Sequence, residues 1–135
     1  MATITNPPGR LILVVDDEPT TLRWVTTKLA LAGFRVMVAE NGAAGLDAFL
    51  GAANDIELVL TDIVMPMMDG IAMIEEMKKH RPDIRVIVMT GYSDPVIGAI
   101  YGARFPLIRK PFLPNDLFSV VNATLEPPMA NAEVV

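Results

Sequence analysis

The 135-residue chain contains no cysteine and only one histidine. A disulfide framework, a zinc–thiolate site and a thiol nucleophile are therefore excluded, and the lack of cysteine fits a reducing compartment such as the cytoplasm. Basic residues are also few, because 11 Lys and Arg face 16 Asp and Glu for a net charge of −5. Direct binding to nucleic acid is not expected, since it needs a basic surface against the phosphates.

Long hydrophobic runs are missing as well. No stretch approaches the roughly 18 apolar residues of a membrane span, and the first ten residues lack the apolar core of a signal peptide. We therefore expect a cytoplasmic protein with no membrane insertion. The length fits one domain of ordinary size, which we assign to residues 8–126. Residues 1–7 and 127–135 lack apolar periodicity, so we expect loose termini there.

Short β-branched apolar runs alternate with segments of helical period, which indicates repeated βαβ units and a parallel sheet covered on both faces. The predicted strands lie at about 11–16, 34–39, 57–62, 84–89 and 105–109. The predicted helices lie at about 19–32, 41–50, 70–80, 94–102 and 114–125. We therefore predict an α/β fold with a doubly wound, five-stranded sheet and five helices.

Three acids follow the first and third predicted strands. Asp16 and Asp17 end the first, and Asp62 ends the third. The carboxyl ends of parallel strands share one edge, so these acids are expected to meet, which favours the strand order 2-1-3-4-5. Two such charges at about 4 Å repel by about 4 kcal/mol at an effective dielectric of 20. A hard cation that prefers oxygen, Mg²⁺ or its substitute Mn²⁺, is the expected counter-charge.

The next two strand ends supply groups that bind phosphate. Thr90 offers a hydroxyl after the fourth strand, and Lys110 offers an ammonium group after the fifth. Three carboxylates balanced by Mg²⁺ and Lys110 sum to zero charge. Asp62 lies centrally and is the candidate nucleophile, because aspartate forms acyl phosphates and phosphoryl transfer depends on positioning and charge neutralisation.

Each of these signals has a plain structural alternative. Residues 16–18 before Pro19 resemble a helix N-cap with first-turn acids, and Asp62 is suited to begin a turn that continues to Asp69-Gly70. Lys110-Pro111 is a normal solvated end of a strand. Their coincidence at four strand ends that build one site favours the functional interpretation.

Four segments together carry a resemblance to a known family. Val14–Pro19, Leu60–Gly70, Met89–Tyr92 and Arg109–Phe112 closely resemble the receiver domain of two-component response regulators, over roughly residues 10–125. The resemblance implies a flavodoxin-like, CheY-like fold and a signalling protein rather than an enzyme. It also implies Mg²⁺ held directly by Asp17, Asp62 and the Val64 carbonyl, and by Asp16 through water.

The resemblance also implies roles at the phosphoryl group. Asp62 would be the phosphoacceptor, Thr90 and Lys110 would hold the phosphoryl oxygens, and the Lys110–Pro111 peptide would be cis. The chain departs from the family pattern at Leu107, three residues before Lys110, where Tyr or Phe usually takes part in the switch. That change does not touch phosphorylation itself.

The implied partners are a sensor histidine kinase or histidine phosphotransfer protein, which donates the phosphoryl group, and a downstream protein target. We expect a monomer or weak dimer that acts through protein contacts or passes its phosphoryl group along a relay. Two alternatives concern the whole protein: a fragment of a hybrid kinase or multidomain regulator, or a receiver-like module that binds without phosphorylation. A third is a phosphatase of the haloacid dehalogenase type, although Asp16-Asp17 lacks the Asp-x-Asp spacing.

Overall fold

The structure is a computed structural model that describes residues 9–91 and 101–126. These ranges contain, in chain order, β1 (Leu11–Val15), α1 (Pro19–Leu31), β2 (Arg35–Ala39), α2 (Gly42–Gly51), β3 (Ile56–Asp62), α3 (Gly70–His80), β4 (Arg85–Thr90), β5 (Leu107–Arg109) and α4 (Pro114–Leu125). The helix predicted near 94–102 falls almost wholly outside the described residues, as do both termini. None of the helices within the two described ranges has the length and apolar character needed to cross a bilayer.

The five strands form one parallel sheet in the order β2-β1-β3-β4-β5, which confirms the predicted topology. Val15 of β1 is aligned with Thr61 of β3, so the residues that follow them, Asp16 and Asp62, emerge side by side. Asp62 is in turn aligned with Met89 of β4, one residue before Thr90. The order reverses between β1 and β3, where a doubly wound sheet opens a ligand crevice.

Each face of the sheet carries an apolar core, because successive strand side chains point to opposite faces. Leu11, Leu13 and Val15 pack with α2 and α3, whereas Ile12 and Val14 pack with α1 and α4. Each helix buries apolar residues at helical spacing: Leu22, Val25 and Leu29 on α1, Ile74 and Met77 on α3, Leu117 and Val121 on α4. The sheet is thereby fixed between two helical layers, and its carboxyl edge stays open.

β2, β4 and β5 begin later than the sequence predicts, and backbone hydrogen bonds explain the late starts of β2 and β5. At the end of α1, Gly33 has φ +99°, and the N–H of Phe34 donates to the carbonyl of Leu29 at 3.1 Å. This Schellman motif uses the N–H of Phe34, so β2 begins at Arg35. Before β5, the N–H of Phe105 donates to the carbonyl of Tyr101 at 2.9 Å in a helical turn. The strand is therefore limited to Leu107–Arg109 rather than 105–109.

Candidate functional site

Three carboxylates meet at the carboxyl edge of the sheet. Asp16 directly follows β1 and is fully buried, Asp17 is exposed, and Asp62 is the last residue of β3 and half-buried. One oxygen from each lies within 4.8 Å of the others. The alternative of a helix N-cap at residues 16–18 is not supported, because the cap residue Glu18 makes no side-chain cap hydrogen bond.

The backbone orients two of these acids. Asp16 Oδ1 accepts the N–H of Glu18 at 2.9 Å, and Asp62 Oδ1 accepts the N–H of Ile63 at 2.8 Å. The other oxygen of each, Oδ2, faces the ammonium group of Lys110, at 2.7 Å from Asp16 and 3.2 Å from Asp62. In both carboxylates, Oδ1 is therefore fixed by a backbone N–H and Oδ2 is paired with the ammonium group of Lys110.

Lys110 reaches the acids from the end of the edge strand β5. Its N–H donates to the carbonyl of Thr90 at 2.8 Å, which ties the residue to β4. The Lys110–Pro111 peptide is cis, as the resemblance implied. Thr90 ends β4 and is only 3% exposed. The structure therefore brings Lys110 across β4 to Asp62.

Charge and burial set the protonation tendencies of this cluster. Burial is the largest effect on Asp16 and raises its pKa above the ordinary aspartate value, although Lys110 and the N–H of Glu18 act in the opposite direction. For Lys110, burial alone would lower the pKa, but the hydrogen bond to Asp16 and the charges of Asp62 and Asp16 outweigh it. The pKa of Lys110 is therefore raised, and its ammonium form is favoured.

The donor set fits a hard divalent cation. Asp16, Asp17 and Asp62 carry three negative charges and Lys110 one positive charge, which leaves a charge of −2 at a partly buried position. Within the described residues, the ligand atoms that come together are all carboxylate oxygens. Oxygen-only donors beside an open mouth suit Mg²⁺, which keeps several waters. Val64 lies two residues after Asp62 at this mouth, and its side chain is exposed.

Sequence reasoning missed the role of Asp69-Gly70, which it treated as a turn dipeptide. Asp69 is the N-cap of α3 and accepts the N–H of Ala72 at 2.8 Å. A Cβ at Gly70 would lie 2.1 Å from the carbonyl oxygen of Asp62, and the N–H of Gly70 donates to the carbonyl of Ile63 at 2.7 Å. The first turn of α3 therefore packs directly on the backbone of Asp62.

A cavity of about 490 Å³ adjoins the site at Lys110; we call it the Trp24 cavity. Its walls include Glu18, Thr21 and Trp24 from the beginning of α1, and Lys110 and Phe112 from the β5–α4 connection. The rings of Trp24 and Phe112 meet edge to face, with centroids 5.4 Å apart. No local sequence signal joins residues so far apart in the chain.

Comparisons with known proteins agree with this geometry. Residues 12–122 match the family model of the response regulator receiver domain. The chain is 38% identical over 117 residues to the regulatory protein AtoC of Escherichia coli K12, which covers 85% of this chain and 25% of AtoC. It is 30% identical over 117 residues to the sensor kinase CckA of Brucella abortus, which covers 85% of this chain and 12% of CckA.

A solved structure shows the same architecture. A response regulator receiver domain protein from Clostridium thermocellum superposes with a TM-score of 0.78 at 32% identity, covering 85% of this chain and 93% of that one. By contrast, the chain spans only about a quarter of the length of AtoC.

Proposed function

The chain belongs to the response regulator receiver domain family of two-component signalling, and from that premise we propose that Asp62 accepts a phosphoryl group in a Mg²⁺-dependent step. The donor is a phosphohistidine on a sensor histidine kinase or a histidine phosphotransfer protein. The family is one of signalling phosphoacceptors rather than enzymes in the usual sense. Output is through contacts with another protein or through transfer along a relay.

One observation carries the proposal: the carboxylate cluster lies within reach of a single lysine. Asp16, Asp17 and Asp62 present oxygens within 4.8 Å of one another, and Lys110 Nζ lies 3.2 Å from Asp62 Oδ2. Such a cluster binds a divalent cation, and the same lysine can bind a phosphoryl oxygen. Of the two cluster acids whose carboxylates accept a backbone N–H, Asp16 and Asp62, Asp62 is the less buried, which suits a nucleophile.

The chain's own residues perform the transfer as follows. An Oδ oxygen of Asp62 forms a bond to phosphorus, while the phosphorus–nitrogen bond of the donor breaks and its electron pair stays on the imidazole. Lys110 moves from the carboxylates to a phosphoryl oxygen, and the hydroxyl of Thr90 donates to another. The proposed metal ligands are Asp17, Asp62 and the Val64 carbonyl, with Asp16 acting through water. When bound, Mg²⁺ supplies the remaining positive charge against the phosphoryl oxygens.

Two kinds of longer protein contain a segment similar to this chain, and either is a candidate for the role of the whole protein. AtoC is named a regulatory protein and CckA a sensor kinase, and the chain matches one part of each. We favour a response regulator, because AtoC is the more similar of the two. The proposal includes a cytoplasmic location, which the absence of cysteine fits.

Intact mass spectrometry tests the proposal directly. The protein is incubated with acetyl phosphate, with and without Mg²⁺, as wild type and as Asp62→Asn. We expect a phosphoryl adduct only in the wild type and only with Mg²⁺, because the amide cannot form an acyl phosphate. Circular dichroism checks that the variant keeps its fold.

A matched variant separates the receiver from the phosphatase alternative. An adduct that persists in Asp62→Asn would reject Asp62 as the acceptor. Sustained turnover of an aryl phosphate that Asp16→Asn abolishes and Asp62→Asn does not would favour a phosphatase. A folded, Mg²⁺-binding wild type that forms no adduct would favour a module that binds without phosphorylation or a strict dependence on a cognate kinase.

A further inference from the structure

Thr61 is a polar residue in an otherwise apolar row across the sheet. It is fully buried, and the register aligns it with Val15 of β1 and with Val88 of β4, which are both fully buried. Because strand side chains alternate, Thr61 points to the same face as Val59, which packs in the core with α2 and α3. Valine would fill this position with the same branched shape, and a buried hydroxyl is costly unless it is hydrogen-bonded. The hydroxyl of Thr61 therefore needs a partner.

That partner is the carbonyl oxygen of the phosphoacceptor residue. The hydroxyl of Thr61 donates to the carbonyl of Asp62 at 2.8 Å. A Cβ at Gly70 would lie 2.1 Å from the same oxygen, so the beginning of α3 packs against it as well. The carbonyl of Asp62 is therefore fixed by contacts from two different elements, β3 and α3.

The same peptide unit holds the side chain of Asp62. The carbonyl of Asp62 and the N–H of Ile63 lie in one plane, because the peptide bond is rigid. That N–H donates to Asp62 Oδ1 at 2.8 Å, while Asp62 Oδ2 faces Lys110 Nζ at 3.2 Å. A rotation of this peptide would move the N–H away from Oδ1 and release the carboxylate. The contacts at the carbonyl thus control the orientation of the nucleophile.

We infer that Thr61 is a positioning residue for phosphoryl transfer, because its hydroxyl fixes the peptide whose N–H orients the carboxylate of Asp62. The inference rests on the proposed function, in which Asp62 is the acceptor. Transfer requires the attacking oxygen to be aligned with the phosphorus, and a carboxylate that turns freely is aligned for only part of the time. Thr61 is itself fully buried, so it acts through Asp62 and forms or breaks no bond.

Substitutions that separate the hydroxyl of Thr61 from its methyl group test this role. Labelling rates with acetyl phosphate and Mg²⁺ are measured by intact mass for the wild type, Thr61→Val and Thr61→Ser. We expect Thr61→Val to be labelled about fivefold more slowly, as for loss of one neutral hydrogen bond, and Thr61→Ser to retain most of the wild-type rate. Thr26→Val is the matched control and should be labelled at the wild-type rate, because the buried hydroxyl of Thr26 on α1 has no hydrogen-bond partner among the described residues.

The amide resonance of Ile63 is a second readout, and it needs no phosphoryl donor. An amide proton that is donated to a carboxylate is shifted downfield. Thr61→Val should therefore move the Ile63 amide proton upfield, whereas Thr61→Ser and Thr26→Val should leave it in place. A role of Thr61 in packing alone would not move this signal.

Either readout can overturn the inference. A labelling rate unchanged in Thr61→Val, or an equal loss in Thr61→Ser, would show that the hydroxyl does not position the acceptor. An Ile63 amide signal unchanged in Thr61→Val would overturn it even if labelling slows. If Thr61→Val does not fold, Thr61→Ser and Thr61→Ala, which differ only in the hydroxyl, make the same comparison. Failure of the proposed function is distinct, since an adduct that persists in Asp62→Asn rejects Asp62 as the acceptor whatever the Ile63 signal does.

Discussion

Among the residues that the structure describes, Asp16 is an acid whose environment disfavours its charge. It is fully buried, and burial raises its pKa above the ordinary aspartate value. A carboxyl group with a raised pKa in the folded state destabilises the fold fully above that pKa, and the penalty is lost as the pH falls from that pKa to the ordinary aspartate value of the unfolded chain. Lys110, whose pKa is also raised, stays charged throughout the neutral range, so it adds no pH dependence there.

We therefore expect Asp16→Asn to stabilise the metal-free protein at pH 7. The free energy of unfolding should rise by about 1 kcal/mol, because the amide can still pair with Lys110 without a desolvated charge. Urea denaturation in EDTA measures this, and the advantage of the variant should shrink as the pH is lowered. Asp17→Asn is the control, since Asp17 is exposed. A less stable Asp16→Asn would show that the ion pair outweighs burial.

Gly70 gives a second prediction for a single residue. A Cβ there would lie 2.1 Å from the carbonyl oxygen of Asp62, so Gly70→Ala forces α3 away from the backbone of that residue. We expect a loss of about 1–3 kcal/mol in the free energy of unfolding and slower labelling by acetyl phosphate.

Gly51→Ala is the matched control for that change. It also lies in a helix, and a Cβ there would meet no atom of the described residues within 4 Å. The free energy of unfolding of Gly51→Ala should equal that of the wild type or exceed it by up to about 1 kcal/mol, because alanine has a higher helix propensity than glycine. Equal effects of the two substitutions would contradict the close contact between Gly70 and Asp62.

Among the elements, β5 is the shortest strand that the structure describes, yet it positions Lys110. The N–H of Lys110 donates to the carbonyl of Thr90, and the side chain then crosses to Asp16 and Asp62. In the structure this lysine supplies the positive counter-charge to Asp16 and Asp62. It therefore competes with a cation for the same carboxylates.

Lys110→Ala should consequently bind Mg²⁺ more tightly, by up to about thirtyfold, since a unit charge and a divalent cation about 4 Å apart in water repel by about 2 kcal/mol. It should also impair the phosphorylated response, because a phosphoryl oxygen loses its partner. Isothermal titration calorimetry measures the first effect, and Arg109→Ala, an exposed neighbour, is the control. Weaker Mg²⁺ binding in Lys110→Ala would rule out this competition.

At the scale of the whole molecule, metal binding and folding are linked. A cation that binds only the folded state stabilises it by about 2.7 kcal/mol at one hundred times its Kd. For a domain of this size, that corresponds to a rise in Tm of about 10 °C. Thermal unfolding with Mg²⁺, against sodium chloride at matched ionic strength, measures the shift. It should be largely lost in Asp17→Asn; an equal shift there would place the stabilising ion elsewhere.

The sheet order and the position of the acids were predictable because both follow from periodic signals. β-branched runs mark the strands, and a site shared by Asp16 and Asp62 requires β1 and β3 to be neighbours. Close contacts between distant residues were not predictable. Nothing local shows that Gly70 packs on the Asp62 carbonyl or that Trp24 meets Phe112. The late start of β5 depends on the hydrogen bond from Phe105 to Tyr101, which apolar runs do not encode.

Trp24 is the only tryptophan of the 135 residues, and its ring lies 5.4 Å from that of Phe112, two positions after Lys110. Ultraviolet light that tyrosine does not absorb therefore excites a single ring beside the loop that carries the lysine. Fluorescence from the unlabelled protein reports on the surroundings of Trp24, which include that loop. Binding at the phosphoacceptor site around Asp62 and Lys110 can thus be followed in real time by the emission intensity of Trp24, without an attached dye.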